Sequence, residues 1–428
     1  MYRELNKNLF EFIENSPTAF HAVNSAKRVL LAAGYDELKL SEKWTMENGG
    51  KYFLTNNDSC LFAFEFPRID YNGFHIVASH TDSPCFKLKS NPEIDYKGLY
   101  TTLNVEKYGG AIFSSWFDRS LSIAGRVLYE EDGKVVSKLI DFKKKCISIV
   151  NLAIHMNREV NTGVKYKVSN DLRPIWAGKD NDKSIKSVIC EHLNEGGINI
   201  SEDKILDMDM FVYNPQKGEI WGANDEFIQC PRLDDLQCVY SSLQAFIDTK
   251  STEKAKVLAL FDNEEIGSNT ISGAASNLFT NIINRVMDIQ GKTNEEKQIC
   301  IENSFMLSAD NAHAVHPNHA DKADATNQPY PNGGVVVKYT ANQQYTTNAQ
   351  SGGYFKYLCK KNNVPVQDYF NHSDVLGGST LGNLLIQKLP IKSVDIGAPQ
   401  LAMHSCNEVS GIKDTEHLIE AMKAFYRV

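Results

Sequence analysis

The stretch Phe261-Asp262-Asn263-Glu264-Glu265-Ile266-Gly267-Ser268 follows the apolar run Val257-Leu258-Ala259-Leu260, so two adjacent carboxylates stand where a buried strand runs out. Neighbouring side chains on extended backbone point to opposite sides, and a regular strand therefore cannot aim both Glu264 and Glu265 at one site. The chain must bend there. Gly267 with Ser268 supplies the turn chemistry that permits it. Such a pair suits a metallohydrolase, with one carboxylate as metal ligand and the other as general base. The plainer alternative is a helix N-terminus with glutamates in its first turn, stabilised by the macrodipole.

Length narrows the field. The chain of 428 residues exceeds the ~250–300 at which one core stops growing, which predicts two domains or one domain with a large insertion. A net charge of −8 argues against nucleic acid or an anionic membrane as partner. No apolar run approaches the ~20 residues of a membrane span, and Met1-Tyr2-Arg3-Glu4-Leu5 opens an amphipathic helix rather than a signal peptide. A cytoplasmic protein is expected. The nine cysteines are scattered and never paired as C-x-x-C, which disfavours a disulfide framework and a structural zinc knuckle.

Helices are predicted over 5–14 and 20–33, followed by a buried-type strand over 74–79 that ends at His80-Thr81-Asp82-Ser83-Pro84. From about Ile94 to Gln229 the texture is β-like and turn-punctuated, with a polar, charge-rich stretch over 170–204. After Pro231 strands and helices alternate: helix 236–247, strand 257–262, helix 278–288, strand 305–308, strand 335–339, helix 353–361, strand 393–396 and helix 414–426. Such alternation implies an α/β fold with a mostly parallel sheet flanked by helices. The expected layout is a catalytic α/β domain from residues 1–91 and 233–428, interrupted by a β-rich insertion over 92–232.

The strand ends carry the chemistry. His80 and Asp82 follow the first parallel-type strand, Asp234 follows the insertion, Glu264 and Glu265 end the next strand, Asp310 ends the strand at 305–308, and His404 follows the strand near Ile396. In an open α/β sheet ligands bind at the carboxyl ends of strands, so these groups can converge. Two histidines with several carboxylates make a mixed N/O donor set, suited to zinc, manganese or cobalt. The excess of carboxylates favours two metals bridged by one of them. The H-E-x-x-H helix of single-zinc proteases is missing from the sequence.

In order along the chain, His80-Thr81-Asp82-Ser83-Pro84, Arg232-Leu233-Asp234-Asp235-Leu236, Asp262 to Ser268, Ser308-Ala309-Asp310-Asn311-Ala312-His313-Ala314-Val315-His316-Pro317-Asn318 and Met403-His404-Ser405 resemble the signature of the aspartyl aminopeptidase family of dinuclear zinc peptidases. Tyr108-Gly109-Gly110, Trp116-Phe117-Asp118-Arg119 and Leu152-Ala153-Ile154-His155 extend the resemblance into the insertion. It implies a zinc-peptidase/phosphorylase-like catalytic domain acting on peptide N-termini through a water bridging two divalent ions, zinc first, with Mn2+ or Co2+ as alternatives. It further implies Asp234 as bridging ligand, His80 and Asp310 on one ion, Glu265 and His404 on the other, Glu264 as general base, and Asp82 orienting the His80 ring. The insertion is implied to be a dimerisation domain of a homododecamer, with His155 reaching a neighbour's site to hydrogen-bond the oxyanion. A buried helix histidine is the structural alternative for His155.

Asp235 stands where members of the family often carry Asn. It is expected to cap the following helix, with metal ligation as the alternative. His313 and His316, three apart and both near Asp310, look like a metal pair, and the resemblance implies that they sit behind the ligands or pack; direct ligation is the alternative. Substrate preference is implied to be N-terminal Asp or Glu, whose carboxylate needs a cation; Lys338 matches the family position for that pocket, while the loop 373–380 matches the family pattern only in part. The rival reading is another dinuclear zinc hydrolase of carboxypeptidase, dipeptidase or deacylase type.

Overall fold

The computed structural model describes residues 2–375 and 377–428; Met1, ahead of the first helix, and Leu376, in the 373–380 loop, lie outside the described residues. The chain divides into two units. The larger takes the chain up to Ser83, Gly218–Met403 and everything from Glu408 on; the smaller takes Pro84–Lys217 with the short return His404–Asn407.

The larger unit is built on a nine-stranded sheet in the order Asp36–Leu38, Lys51–Asn56, Cys60–Glu65, Ala255–Phe261, Phe74–His80, Phe305–Ala309, Lys392–Gly397, Val335–Tyr339, Val366–Phe370. Its central strands Ala255–Phe261, Phe74–His80, Phe305–Ala309 and Lys392–Gly397 are mutually parallel. Cys60–Glu65 and Val335–Tyr339 run against their central neighbours, so the sheet is mixed toward its edges. Central strands buried on both faces are apolar at consecutive positions. Successive side chains alternate faces, and two cores result. Leu258 and Leu260 join Val77 and Leu307 in a core completed by helices Tyr2–Glu14, Ala19–Ala32, Leu233–Asp248, Ala349–Lys361 and Asp414–Tyr426. Val257, Ala259 and Phe261 join Ile76, Ala78 and Met306 in the opposite core, closed by helices Leu278–Ile289 and Leu381–Ile386. A five-stranded sheet of short strands, Glu219–Trp221, Phe227–Cys230, Glu408–Gly411, Pro399–Leu401 and Ala312–His313, completes this unit.

In the smaller unit, strand Ile205–Tyr213 pairs with both Cys85–Tyr96 and Ser120–Glu131, so that Tyr100–Tyr108, Ile175–Ala177 and Ile147–Ser148 complete a closed ring. Closure leaves only Lys134–Asp141, outside the ring, as an added edge strand. Gly125 is required by that closure, because a Cβ there would stand 1.9 Å from the Asp209 carbonyl oxygen. Strand Cys85–Tyr96 lies wholly in this unit, and Glu219–Trp221 with Phe227–Cys230 belong to the larger one, so the unit edges fall at 83/84 and 217/218 where sequence texture had suggested 91/92 and 232/233. The charge-rich stretch over 170–204 contains helix Ile185–Glu195, whose Ile185, Val188, Ile189 and Leu193 enter the barrel core. No helix among the described residues is long and apolar enough to cross a membrane.

Charged side chains also lie inside the larger unit. Lys256 is wholly buried, donating from Nζ to the carbonyls of Phe246 (2.7 Å) and Thr249 and standing 3.1 Å from Glu65 Oε2. The Tyr35 hydroxyl donates to the same carboxylate at 2.7 Å. Lys256→Met removes the cation and leaves Glu65 in the interior, which is expected to cost ~3–5 kcal/mol in urea unfolding. The double variant Lys256→Met/Glu65→Leu should recover most of that loss, and an unchanged midpoint in the single variant would show that the pair contributes nothing.

Candidate active site

Strand Phe74–His80 delivers His80 at its carboxyl end, opposite Phe261 of the neighbouring parallel strand. The backbone after Phe261 then turns through Glu264–Ile266 in a 3-10 turn bracketed by Asn263, Gly267 and Ser268, all left-handed at φ of 62°, 92° and 58°. This is the bend that the adjacent glutamates demand. It points the amides of Glu264 and Glu265 at the two oxygens of Asp82, to which they donate at 3.1 and 3.2 Å. The same carboxylate lies 3.3 Å from His80 Nδ1, and the Asp82 carbonyl lies 3.1 Å from that nitrogen. With Nδ1 so engaged, Nε2 faces Asp234 Oδ1 at 3.4 Å and Asp310 Oδ1 at 3.8 Å.

Asp234 and Asp235 open helix Leu233–Asp248 with non-helical backbone (φ −82°, ψ 109° and φ −115°, ψ 19°), joined by a cis peptide. The Asp234 amide donates to Glu408 Oε2 at 3.0 Å, and its carbonyl accepts from Ser83 Oγ at 2.7 Å. Asp235 caps no helix, contrary to expectation. Its backbone leaves helical geometry at the capping turn, and its wholly buried side chain accepts instead from the His80 amide at 3.1 Å. One ligand atom each from His80, Asp234, Asp235 and Asp310 lie within 4.8 Å of one another, and an oxygen of Asp234 is equally close to one of Glu265.

Behind this cluster stands a polar support that the sequence did not single out. Asn311 Nδ2 donates to the Leu233 carbonyl (3.1 Å), Gln237 Oε1 (3.2 Å) and Gln400 Oε1 (2.7 Å), tying the backbone next to Asp310 to that next to Asp234. Gly397 lets the Asp310 carbonyl approach, since a Cβ there would lie 2.0 Å from that oxygen. The one signal in the sequence was the adjacency of Asn311 to Asp310; Glu408 gave none.

Lys338 is buried beside the cluster. Its Nζ donates to the Asp310 carbonyl at 2.8 Å, to Asp310 Oδ2 at 3.2 Å and to the Asn311 carbonyl at 3.3 Å. His404 belongs to the smaller unit, where its Nδ1 pairs with the Gly110 carbonyl at 3.0 Å and its own carbonyl accepts from the Ile112 amide at 2.9 Å. That contact makes Nε2 the ring nitrogen with the lone pair. His155 lies on an exposed turn of the smaller unit, not in a buried helix. His313 packs its ring 6.0 Å from Tyr369, and the His316 ring lies 5.0 Å from that of His319, tilted by 43°; neither joins the carboxylate cluster among the described residues. Neither Cys85 nor Cys406 forms a disulfide among the described residues.

The cluster carries an excess of negative charge. Burial alone would push the His80 imidazole down, but the carboxylates of Asp235, Asp234, Asp310 and Asp82 overcome it and raise the ring well above its ordinary value. Burial, then the neighbouring carboxylates, pushes Asp235 far up and Glu264 up to about 8. Asp262 rises to about 7 for the same reasons. Carboxylates crowded this closely call for cations between them. One imidazole nitrogen among oxygen donors fits zinc and its divalent neighbours.

A family model described as "Aminopeptidase I zinc metalloprotease (M18)" matches residues 12–426. The chain belongs to the M18 family of zinc aminopeptidases. It is 42% identical over 424 residues, 98% of each chain, to a probable M18 family aminopeptidase 2 of Clostridium novyi. Among solved structures, one titled as the Ape4 and Nbr1 complex superposes with a TM-score of 0.96 at 32% identity, covering 100% of this chain and 86% of that one. A dodecamer of mApe1 from S. cerevisiae superposes at 0.85 with 25% identity, covering 100% and 97%. The family resemblance of the motifs therefore holds, and the M18 chain is a metal-dependent aminopeptidase. The carboxypeptidase, dipeptidase and deacylase readings are set aside.

Because Asp82 holds both the His80 ring and the Glu264–Glu265 turn, Asp82→Ala is expected to weaken metal retention ~10–100-fold. Competition with a chromogenic chelator measures it. Retention equal to wild type would remove the orienting role.

Proposed function

We propose that this M18 enzyme removes the N-terminal residue of peptides, preferring Asp or Glu, with two divalent ions per chain, zinc first, and Glu264 as general base. The observation that carries the two-ion reading is the position of Asp234, within ligand distance both of the His80–Asp310 group and of Glu265. His80, Asp310 and Asp234 would hold one ion; Asp234, Glu265 and His404 the other, with His404 assigned by motif order. Zinc bound there supplies the Lewis acidity that polarises a peptide carbonyl and makes water a nucleophile near neutral pH.

The chain's own residues do the rest. Glu264 is half-buried on a turn whose amides are fixed by Asp82, so its carboxylate is positioned to take a proton from water and return it to the leaving amine. Lys338 is the cation proposed for an acidic substrate side chain. Its Nζ donors now serve Asp310 and Asn311, and a substrate carboxylate would take over one of them. The charge of Asp310 first among its partners outweighs the effect of burial and keeps that ammonium protonated. We further propose a homododecamer assembled from dimers through the smaller unit, with His155 donating to the developing oxyanion of a neighbour. Its exposed turn and the dodecamer of the similar mApe1 structure support this. None of the nine cysteines forms a disulfide among the described residues, in keeping with a cytoplasmic location, and the net charge of −8 with peptides, rather than nucleic acid or membrane, as partners.

Glu264→Gln is expected to lower kcat ~10²–10⁴-fold while elemental analysis still finds two ions per chain. A kcat near wild type would remove Glu264 as the base, and a single ion in the wild type would remove the two-ion reading. Lys338→Ala should reduce the ratio of kcat/KM for Asp- over Leu-p-nitroanilide ten-fold or more, ~1.4 kcal/mol. Equal loss on both substrates would place the work of Lys338 on Asp310 instead of on the substrate.

A further inference from the structure

The parallel strands that end at the catalytic cluster begin at a second cavity. Its volume is about 350 Å3, it opens to solvent, and its lining includes His75, Phe305 and Ser393, each at or next to the start of a strand whose far end borders the cluster. His75 and His80 are five residues apart on one strand, so the two sites are ~16 Å apart. Nothing in the proposed chemistry uses this cavity.

Two features mark it as built to hold something. His75 lines it at 5% exposure, its ring packed 4.6 Å from that of Phe425, and its Nδ1 has no hydrogen-bond partner among the described residues. Ser304 beside it is fully engaged, accepting from the Phe74 amide at 2.9 Å and donating to the Cys300 carbonyl at 2.7 Å. A buried polar atom left without a partner is costly and uncommon, and a bound molecule is one way to relieve it. Burial first, and the Lys254 ammonium second, push His75 down to about 3, so the floor presents a neutral imidazole.

The rim is charged in a pattern that selects. Lys254 and Lys392 contribute two ammonium groups, helix Ala349–Lys361 adds the positive end of its dipole although its Gln350 and Ser351 amides already donate to the Asn348 side chain, and Glu302 supplies one carboxylate, 2.6 Å from Lys392 Nζ. Among the described residues Lys254 Nζ has the neutral Asn72 Oδ1, at 2.7 Å, as its hydrogen-bond acceptor and no carboxylate in contact. Phe305 and Tyr354, with ring centroids 5.0 Å apart, make the apolar part of the wall. The volume stands at the lower end of the range for organic ligands and well above that of a bare inorganic ion.

We propose that this cavity binds a free α-amino acid, its carboxylate against Lys254 and the helix N-terminus, its ammonium against Glu302, and its side chain over Phe305 and Tyr354. An aminopeptidase releases this class of molecule, so the site lets the enzyme bind its own product away from the metal centre. Isothermal titration of L-leucine into the metal-loaded enzyme should resolve two classes of site per chain. In Lys254→Met/Lys392→Met the class that is not catalytic should weaken ten-fold or more, with kcat/KM on Leu-p-nitroanilide unchanged. His75→Phe, which keeps the contact with Phe425 and removes the imidazole, should weaken the same class. L-Leucinamide and isocaproate, each lacking one of the two charges, should fail to fill it. A single class of site in the wild type, equal affinity in the double variant, or displacement of leucine by an equal concentration of phosphate would each overturn the assignment.

Discussion

The Asp82 carboxylate is the constraint on which the catalytic geometry depends. It receives the amides of Glu264 and Glu265 on its two oxygens and stands against Nδ1 of His80, so one side chain joins the ends of two neighbouring strands. Each contact alone is modest, ~1.5–3 kcal/mol for a hydrogen bond to a charged group. Their shared acceptor makes them cooperative. If the Glu264–Ile266 turn relaxes, Asp82 loses its amide donors, the His80 ring loses its orientation, and Nε2 no longer faces Asp234 and Asp310.

Such an arrangement holds together against its own electrostatics. Crowded buried carboxylates repel, and burial with their neighbours' charge displaces Asp235, Glu264 and Asp262 upward, toward the protonated form. Scaffolding holds the cluster together: Asn311 binds the backbone beside Asp234 and the side-chain amides of Gln237 and Gln400, while Lys338 supplies an ammonium on Asp310. The fold thus supplies rigidity with amides and leaves charge compensation to the ions that the M18 family binds.

The elements legible in the sequence were those whose signal is local. Strand Ala255–Phe261 reads as a buried run ending in turn chemistry, and helix Asp414–Tyr426 coincides with its predicted span. The residues that end strands were legible too, because polar groups after apolar runs have few structural uses. What escaped was set by distant pairing. Val335–Tyr339 has the composition of a central strand, yet it runs antiparallel to Lys392–Gly397, and nothing in its own five residues encodes that direction. Asp235 carries the capping chemistry of an Asx residue, but the capping position passes to Arg232, whose backbone is left-handed, and the carboxylate goes to His80. The short strands that make the five-stranded sheet, Ala312–His313 among them, are too brief for any periodicity to show.

The two ends of the central strands differ in sign, and this follows from what each end must do. At the carboxyl ends, turns can present successive side chains to one point, which suits a cluster of polar groups such as His80, Asp234, Glu265 and Asp310. At the amino ends the chain enters from solvent, and lysines there, Lys254 and Lys392, keep long stems along the sheet with their charge near water. Lys256, two residues further in, has lost that access and survives because Glu65 and the Phe246 and Thr249 carbonyls surround it. Acidic groups gathered at one edge and basic groups at the other set a field along the strands that favours cations at the first and anions at the second. A zwitterionic product, with one charge of each sign, is the small molecule that such a scaffold can hold by either end.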